Sequence, residues 1–175
     1  MEKYKILPFA IKFDDNGQLE VFIFDNVCRK MDEDMNINNY ENYVQKNIIK
    51  KRYEYGGTQY APAICMTDKY YNDDESKKIP TIVFFITDGA NFIEDRIPSD
   101  KAIIEASKHG IFYMFIGVGK DNFDYLRHLD DLKGREYDNT GFIKFTDFGN
   151  ITDVNMFTNA LKDYVPWLKA KGYVR

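Results

Sequence analysis

Two short segments carry side chains whose types and spacing could do chemistry. In the first, Thr87-Asp88-Gly89 ends a run of apolar residues and places a carboxylate where an open α/β sheet binds its ligands, at the C-terminal edge of a strand. An Asp-Gly pair also begins many ordinary turns, so the segment has a plain structural reading as well. In the second, Tyr55-Gly56-Gly57-Thr58-Gln59-Tyr60-Ala61-Pro62-Ala63, two glycines allow close backbone approach ahead of a hydroxyl and a helix start. Such a loop presents a threonine oxygen to a hard cation or an anion, or serves only as a helix entry. Other patterns fail on spacing. Gly117-Val118-Gly119-Lys120 lacks the earlier glycine and the following Ser/Thr of a phosphate loop, since Met114 and Asp121 stand there. Asp14-Asp15-Asn16-Gly17 would put Lys12 at the first ligand position of a calcium loop, so it reads as a turn. His109 and His128 have no Cys or His nearby in sequence, and Cys28 and Cys65 form no CxxC, which argues against zinc and against a disulfide scaffold.

The elements that must position these residues can be read from periodicity. Five runs rich in β-branched and aromatic residues stand out: Leu19–Phe24, Val27–Lys30, Thr81–Thr87, Ile111–Val118 and Gly141–Thr146. The third and fourth are almost continuously apolar, as strands covered on both faces are, which predicts a mostly parallel sheet flanked by helices. Asp25-Asn26 predicts a tight hairpin that makes Val27–Lys30 an antiparallel edge strand. A helix is predicted to open at Pro98-Ser99-Asp100, bury Ile103 and Ala106, and close at His109-Gly110. A last helix is predicted from Thr152, with Phe157, Leu161, Tyr164, Val165 and Leu168 facing the core and a break near Val165 imposed by Pro166. Asn72–Lys78 reads as a polar loop, and Asp95 falls in a loop where it could pair with Asp88 as acid and base.

The chain has 175 residues, 14 Phe and 13 Tyr, enough for one domain with an aromatic core. Its 24 basic and 28 acidic residues give a net charge of −4 and are interspersed, so there is no basic footprint for nucleic acid or anionic lipid. No apolar run approaches the ~20 residues of a membrane span, and the N-terminus lacks a small-residue cleavage site, which together predict a cytoplasmic protein. Both cysteines are expected to be reduced and packed, Cys65 in the helix after the glycine loop and Cys28 in the edge strand, without an activating cation.

The two surviving segments, taken in chain order with the glycine loop before Thr87-Asp88-Gly89, resemble the von Willebrand factor type A fold. Its metal-ion-dependent adhesion site combines a DxSxS sequence after the first strand, a threonine in a GGT loop and an aspartate in a strand-end TDG. Thr58 matches the second element and Asp88 the third. Within that superfamily the chain is similar to the TerF-like A domain of tellurium-resistance proteins. The residues that carry this are Lys12-Phe13-Asp14-Asp15-Asn16-Gly17, Phe24-Asp25-Asn26, the YGGTQYAP loop, Phe115-Ile116-Gly117-Val118-Gly119, Asn122-Phe123, Leu126, Leu129-Asp130-Asp131-Leu132-Lys133-Gly134-Arg135 and Tyr164-Val165-Pro166-Trp167-Leu168.

The resemblance covers essentially the whole chain and implies a Rossmann-like three-layer α/β fold with strand order 3-2-1-4-5-6. It also implies a partial metal site of Thr58 and Asp88, supported by Gly56, Gly57 and Gly89. No DxSxS occurs; the only Asp-x-Ser is Asp74-Glu75-Ser76, in a polar loop. The expectation is therefore an N-terminally truncated A domain whose central first strand is missing. The alternatives are direct pairing of Leu19–Phe24 with Thr81–Thr87, or a second polypeptide in the gap. Magnesium or another divalent cation is then expected to bind weakly or not at all, because the remnant holds one carboxylate, Asp88, where a complete site has two, and magnesium, which keeps several waters in its octahedral shell, relies on such carboxylates. The function implied is a non-enzymatic, cytoplasmic protein-interaction module of a bacterial tellurite or stress-resistance system, with other tellurium-resistance proteins as candidate partners. A metal-free scaffold is the second reading, and an enzyme acting on phosphate esters or nucleotides at the same sheet edge is the third.

Overall fold

The structure, a computed structural model, describes residues 11, 14–51, 56–72, 79–146 and 153–175. In chain order the elements are β1 (Gln18–Leu19), β2 (Phe22–Phe24), β3 (Cys28–Lys30), β4 (Met35–Asn36) and α1 (Tyr40–Val44), which runs into a π turn over Gln45–Ile49. Then follow α2 (Ala61–Asn72), β5 (Thr81–Thr87), α3 (Ile93–Ala106), β6 (Ile111–Val118), α4 (Asp124–Asp130), β7 (Thr140–Phe145) and α5 (Asp153–Ala170). The expected polar loop, apart from Asn72, and Thr152 lie outside the described residues, as does the side chain of Phe157.

β5, β6 and β7 form a parallel sheet in that order, with Phe85 opposite Phe115 and Ile116 opposite Ile143. The continuous apolar run of β6 follows from its two covered faces. Ile111, Tyr113 and Phe115 point into a cluster with Tyr60, Ile64, Ile103, Leu126 and Leu129 from α2, α3 and α4 and the loop before α2. Phe112, Met114 and Ile116 point the other way, onto Ala160 and Trp167 of α5. This is the three-layer α/β architecture that the apolar strands predict.

The remaining strands sit apart from that sheet. β2 and β3 pair antiparallel with Phe24 opposite Cys28, so the turn holds Asp25, Asn26 and Val27, closed by the Asp25 carboxylate accepting the Val27 N–H at 2.8 Å. β1 and β4 make a second short antiparallel pair, so the predicted strand Leu19–Phe24 is split between two partners. Among the described residues no ladder joins β2 to β5, and direct pairing of the two is therefore not how this fold is arranged. Side chains link them instead: the ring of Phe24 lies 4.7 Å from that of Phe85 and 6.0 Å from that of Tyr60. The Asp14 turn is confirmed, its carboxylate accepting the N–H groups of Asn16 and Gln18.

Two helices depart from the sequence-based expectation. α3 starts at Ile93 rather than at Pro98, which lies inside it on an exposed position. A proline there removes one intrahelical bond, but Asp95 and Ser99, one turn apart and both buried, bond to each other at 2.9 Å and anchor the preceding turn. α5 likewise runs through Pro166 to Ala170 without the predicted break. Trp167, just beyond the proline, is 2% exposed, so packing holds the last turn in place, while Val165 faces solvent and is not a core residue.

Where α4 leads into β7 and α5 passes alongside, carboxylates crowd together. Burial, reinforced by Asp163, Asp138 and Asp131, pushes the Asp130 carboxyl up to about 7, against the opposing pull of Arg135. The folded state thus keeps this proton to near neutrality, whereas the unfolded chain releases it near pH ~4. The stability that this group contributes is full below that lower value and is lost as pH rises through about 7. Asp130→Asn is expected to raise stability at pH 8 by roughly 1 kcal/mol and to flatten the decline between pH ~4 and ~7, as read by urea denaturation across that range.

Candidate functional site

β5 delivers Thr87, Asp88 and Gly89 to the C-terminal edge of the sheet. The buried Thr87 hydroxyl folds the loop back, bonding the Gly89 carbonyl at 3.2 Å. The GGT segment is brought to the same place by three ties. Phe92 N–H donates to the Thr58 carbonyl at 3.0 Å, Gln59 N–H donates to the Asp25 carbonyl at 2.8 Å, and the Tyr60 hydroxyl donates to the Gly89 carbonyl at 2.5 Å. Burial, together with the charges of Asp121, Asp88 and Asp95, pushes the Tyr60 phenol up to about 12, so it remains a neutral donor despite the opposing hydrogen bond with Thr87. Gly57 has φ +68°, and a Cβ there would lie 2.4 Å from both the Asn26 side-chain oxygen and the Phe92 ring, so only glycine fits. Gly56 is exposed and Gly89 half-buried, so neither is forced in this way.

Asp95 corrects the expectation of an acid–base pair with Asp88. It is not in a loop but in the first turn of α3, 5% exposed. Its carboxylate accepts the Tyr60 N–H at 2.5 Å, the Ala61 N–H at 3.3 Å, the Asn91 amide at 2.8 Å and the Ser99 hydroxyl at 2.9 Å. It therefore caps α2 from a distance of 35 residues, satisfying N–H groups that a helix start leaves unpaired. Both oxygens are engaged inside the fold, one of them by Tyr60, Asn91 and Ser99 together, so the carboxylate serves the start of α2.

Thr58 is half-buried and Asp88 exposed, and neither side chain bonds to any described residue. Sequence reasoning missed a third group, Asp121. One of its oxygens accepts the Asn122 N–H at 2.7 Å, and the other lies 4.0 Å from where a Cβ on Gly89 would be. The signal was a carboxylate just past a strand end: Asp121 stands three residues beyond β6, where Asp88 directly follows β5. Among the described residues no group of three or more His, Cys, Asp and Glu is disposed to hold a metal ion. What the edge lacks is the aspartate and the two hydroxyls that a DxSxS sequence supplies, so the described residues make up only part of a metal site of the A-domain kind.

The histidines and cysteines lie elsewhere. His109 Nδ1 meets Asp68 at 2.9 Å and His128 Nε2 meets Asp100 at 3.0 Å, each pair tying neighbouring helical segments together. Cys65 is exposed rather than packed, a departure from expectation, because its position on α2 faces away from the sheet. Burial pushes the half-buried Cys28 thiol up to about 11, which keeps it protonated and unreactive near neutrality.

A parallel sheet covered by helices on both faces, with a GGT loop and a TDG turn meeting at its C-terminal edge, defines a von Willebrand factor A domain. Solved structures agree on the fold. The SpRpn10 VWA domain superposes with a TM-score of 0.60 over 85% of this chain and 79% of its own, at 13% identity. The manganese-loaded Plasmodium vivax TRAP protein gives 0.55 over 81% and 61%, at 18% identity. Residues 3–174 match the vWA-TerF-like family, described as the vWA found in the TerF C terminus, and the chain belongs to that family. It is also 33% identical over 177 residues to the Bacillus subtilis (strain 168) protein named "Uncharacterized protein YcbR", covering 98% of this chain and 70% of that one. Among the described residues no helix is long and apolar enough to cross a membrane.

Proposed function

We propose that this chain is a non-enzymatic protein-interaction module that works in the bacterial cytoplasm, within a tellurite or stress-resistance assembly, and docks its partner at the C-terminal edge of the β5–β6–β7 sheet. The observation that carries the reading is the pair Thr58 and Asp88, set at that edge with side-chain oxygens unused by any described residue. A scaffold role would have the half-buried Thr58 hydroxyl bonding to neighbouring backbone, and it bonds to no described residue; the exposed Asp88 carboxylate needs no protein partner and does not discriminate. Acid–base chemistry has little to draw on there, since both histidines are paired away from the edge and Asp95 is a buried helix cap.

A divalent ion should bind weakly to this chain by itself, because the edge lacks the carboxylate and hydroxyls of a DxSxS sequence. Titration calorimetry with magnesium or manganese is expected to show no low-micromolar site; such a site, abolished by Asp88→Ala, overturns this part of the reading. Tagged protein should capture a partner from extracts of its own cells, and Asp88→Ala or Thr58→Ala should each lose that partner while keeping the wild-type circular dichroism spectrum. Capture that ignores both substitutions points to the metal-free scaffold instead.

A further inference from the structure

The most exposed large apolar side chains of the described chain are Ile93 and Ile97, at 70% and 68%. They lie four residues apart on α3 and so stand one above the other on a single face. Phe92, the N-cap before them, is 46% exposed but lays its ring over Gly57, so the stripe is the two isoleucines. Two large apolar side chains this exposed and side by side make an apolar patch, and contiguous exposed apolar surface on a soluble protein is commonly an interaction site.

The charges on either side of the stripe differ in a telling way. On one flank Arg96 lies over the Tyr125 ring at 5.0 Å, and Asp100 accepts the Tyr125 hydroxyl at 2.8 Å and pairs with His128. Those groups are consumed inside the fold. On the other flank stand Glu94 and Lys101, both exposed, and neither bonds to any described residue. They are seven residues apart, which at 100° per residue brings them within about 20° of each other and two turns apart along the axis. The free flank thus carries an anion at one end and a cation at the other, with Ile97 between them.

That arrangement is its own complement. A two-fold axis passing between Ile97 and Pro98 sets two α3 helices antiparallel, so that Glu94 of each copy meets Lys101 of the other and Ile97 meets Ile97. Such reciprocity is the requirement of an isologous interface. We propose that α3 is the contact face of a symmetric dimer of this chain. One helix per copy buries less than the ~1,200 Å² of a standard specific interface, so the dimer forms and dissociates with concentration. The assignment does not depend on the partner or the ligand of the sheet edge.

Sedimentation velocity over a series from low to high micromolar protein tests it. The wild type is expected to pass from monomer to dimer, and Ile97→Glu, which sets two carboxylates against each other at the axis, should remain monomeric throughout. Glu94→Lys and Lys101→Glu each turn both cross-pairs into like charges, and each alone should weaken association at least about tenfold. An equimolar mixture of these two variants restores opposite charges in both pairs and should recover association to within about threefold of the wild type. A wild type that stays monomeric across the series overturns the proposal. So does association unchanged by Ile97→Glu, or a mixture that associates no better than its components.

Discussion

Replacing Asp95 with alanine should lower the stability of this domain by about 3–4 kcal/mol in urea denaturation, far beyond the cost of losing an ordinary surface carboxylate. The reason is what the substitution leaves behind. The carboxylate accepts four donors in a buried setting, two of them the N–H groups of Tyr60 and Ala61 at the start of α2. Each buried donor left without an acceptor costs roughly 1–3 kcal/mol, and the helix also loses an anion at its positive end. Asp95→Asn retains an oxygen acceptor and should recover about half of the loss, because its amide carries no charge and cannot serve all four donors. Hydrogen exchange should quicken most at Tyr60–Ile64, the turn that Asp95 holds. A loss below about 1 kcal/mol, within the range of surface substitutions, would show that α2 is seated by its apolar contacts alone.

Trp167→Ala is expected to cost about 3–5 kcal/mol, because it empties the largest side chain from the layer that α5 lays over the sheet. Trp167 is 2% exposed, and its ring lies 5.6 Å from Phe112, 5.5 Å from Tyr164 and 5.8 Å from Tyr173. Within the described residues that face of β6 is covered by α5, so no other helix can close over the cavity. The chain has one tryptophan, so unfolding of the variant has to be followed by circular dichroism rather than indole fluorescence. Val165→Ala, two residues away on the exposed side of the same helix, should change stability by no more than about 0.5 kcal/mol. Equal losses at the two positions would mean that α5 contributes helix propensity rather than packing.

These two residues show where sequence reading succeeded and where it stopped. The β5 and β6 strands were legible to the residue, since a continuous apolar run has few other ways to bury both faces. The stripe on α5 was legible only in part: Tyr164 and Leu168 pack onto the sheet, but Val165 faces solvent and the buried anchors are Ala160 and Trp167; the proline predicts a break, and the anchoring of Trp167 overrides it. For α3 the same error moved the start by five residues, because the Asp95 carboxylate that bonds Asn91 and Ser99 in its first turns is also held by the N–H groups of Tyr60 and Ala61, far earlier in the chain. Asp95 could not have been assigned from sequence. Its partners at Tyr60 and Ala61 are 35 and 34 residues away, and a carboxylate in a loop-like stretch looks the same whether it faces water or a helix end.

By itself the sequence determined the layer architecture, the two loops that meet at the sheet edge, and the family, because apolar periodicity and glycine punctuation are local constraints that each segment obeys alone. Only the tertiary structure decided which oxygens are free. It committed Asp95 to capping, left Thr58 and Asp88 without described partners, brought Asp121 beside Gly89, and kept the β2–β3 hairpin out of the β5–β6–β7 ladder. The physical reason is common to all four: a polar group's role depends on which donors and acceptors reach it through space, and that depends on packing between elements far apart in the chain.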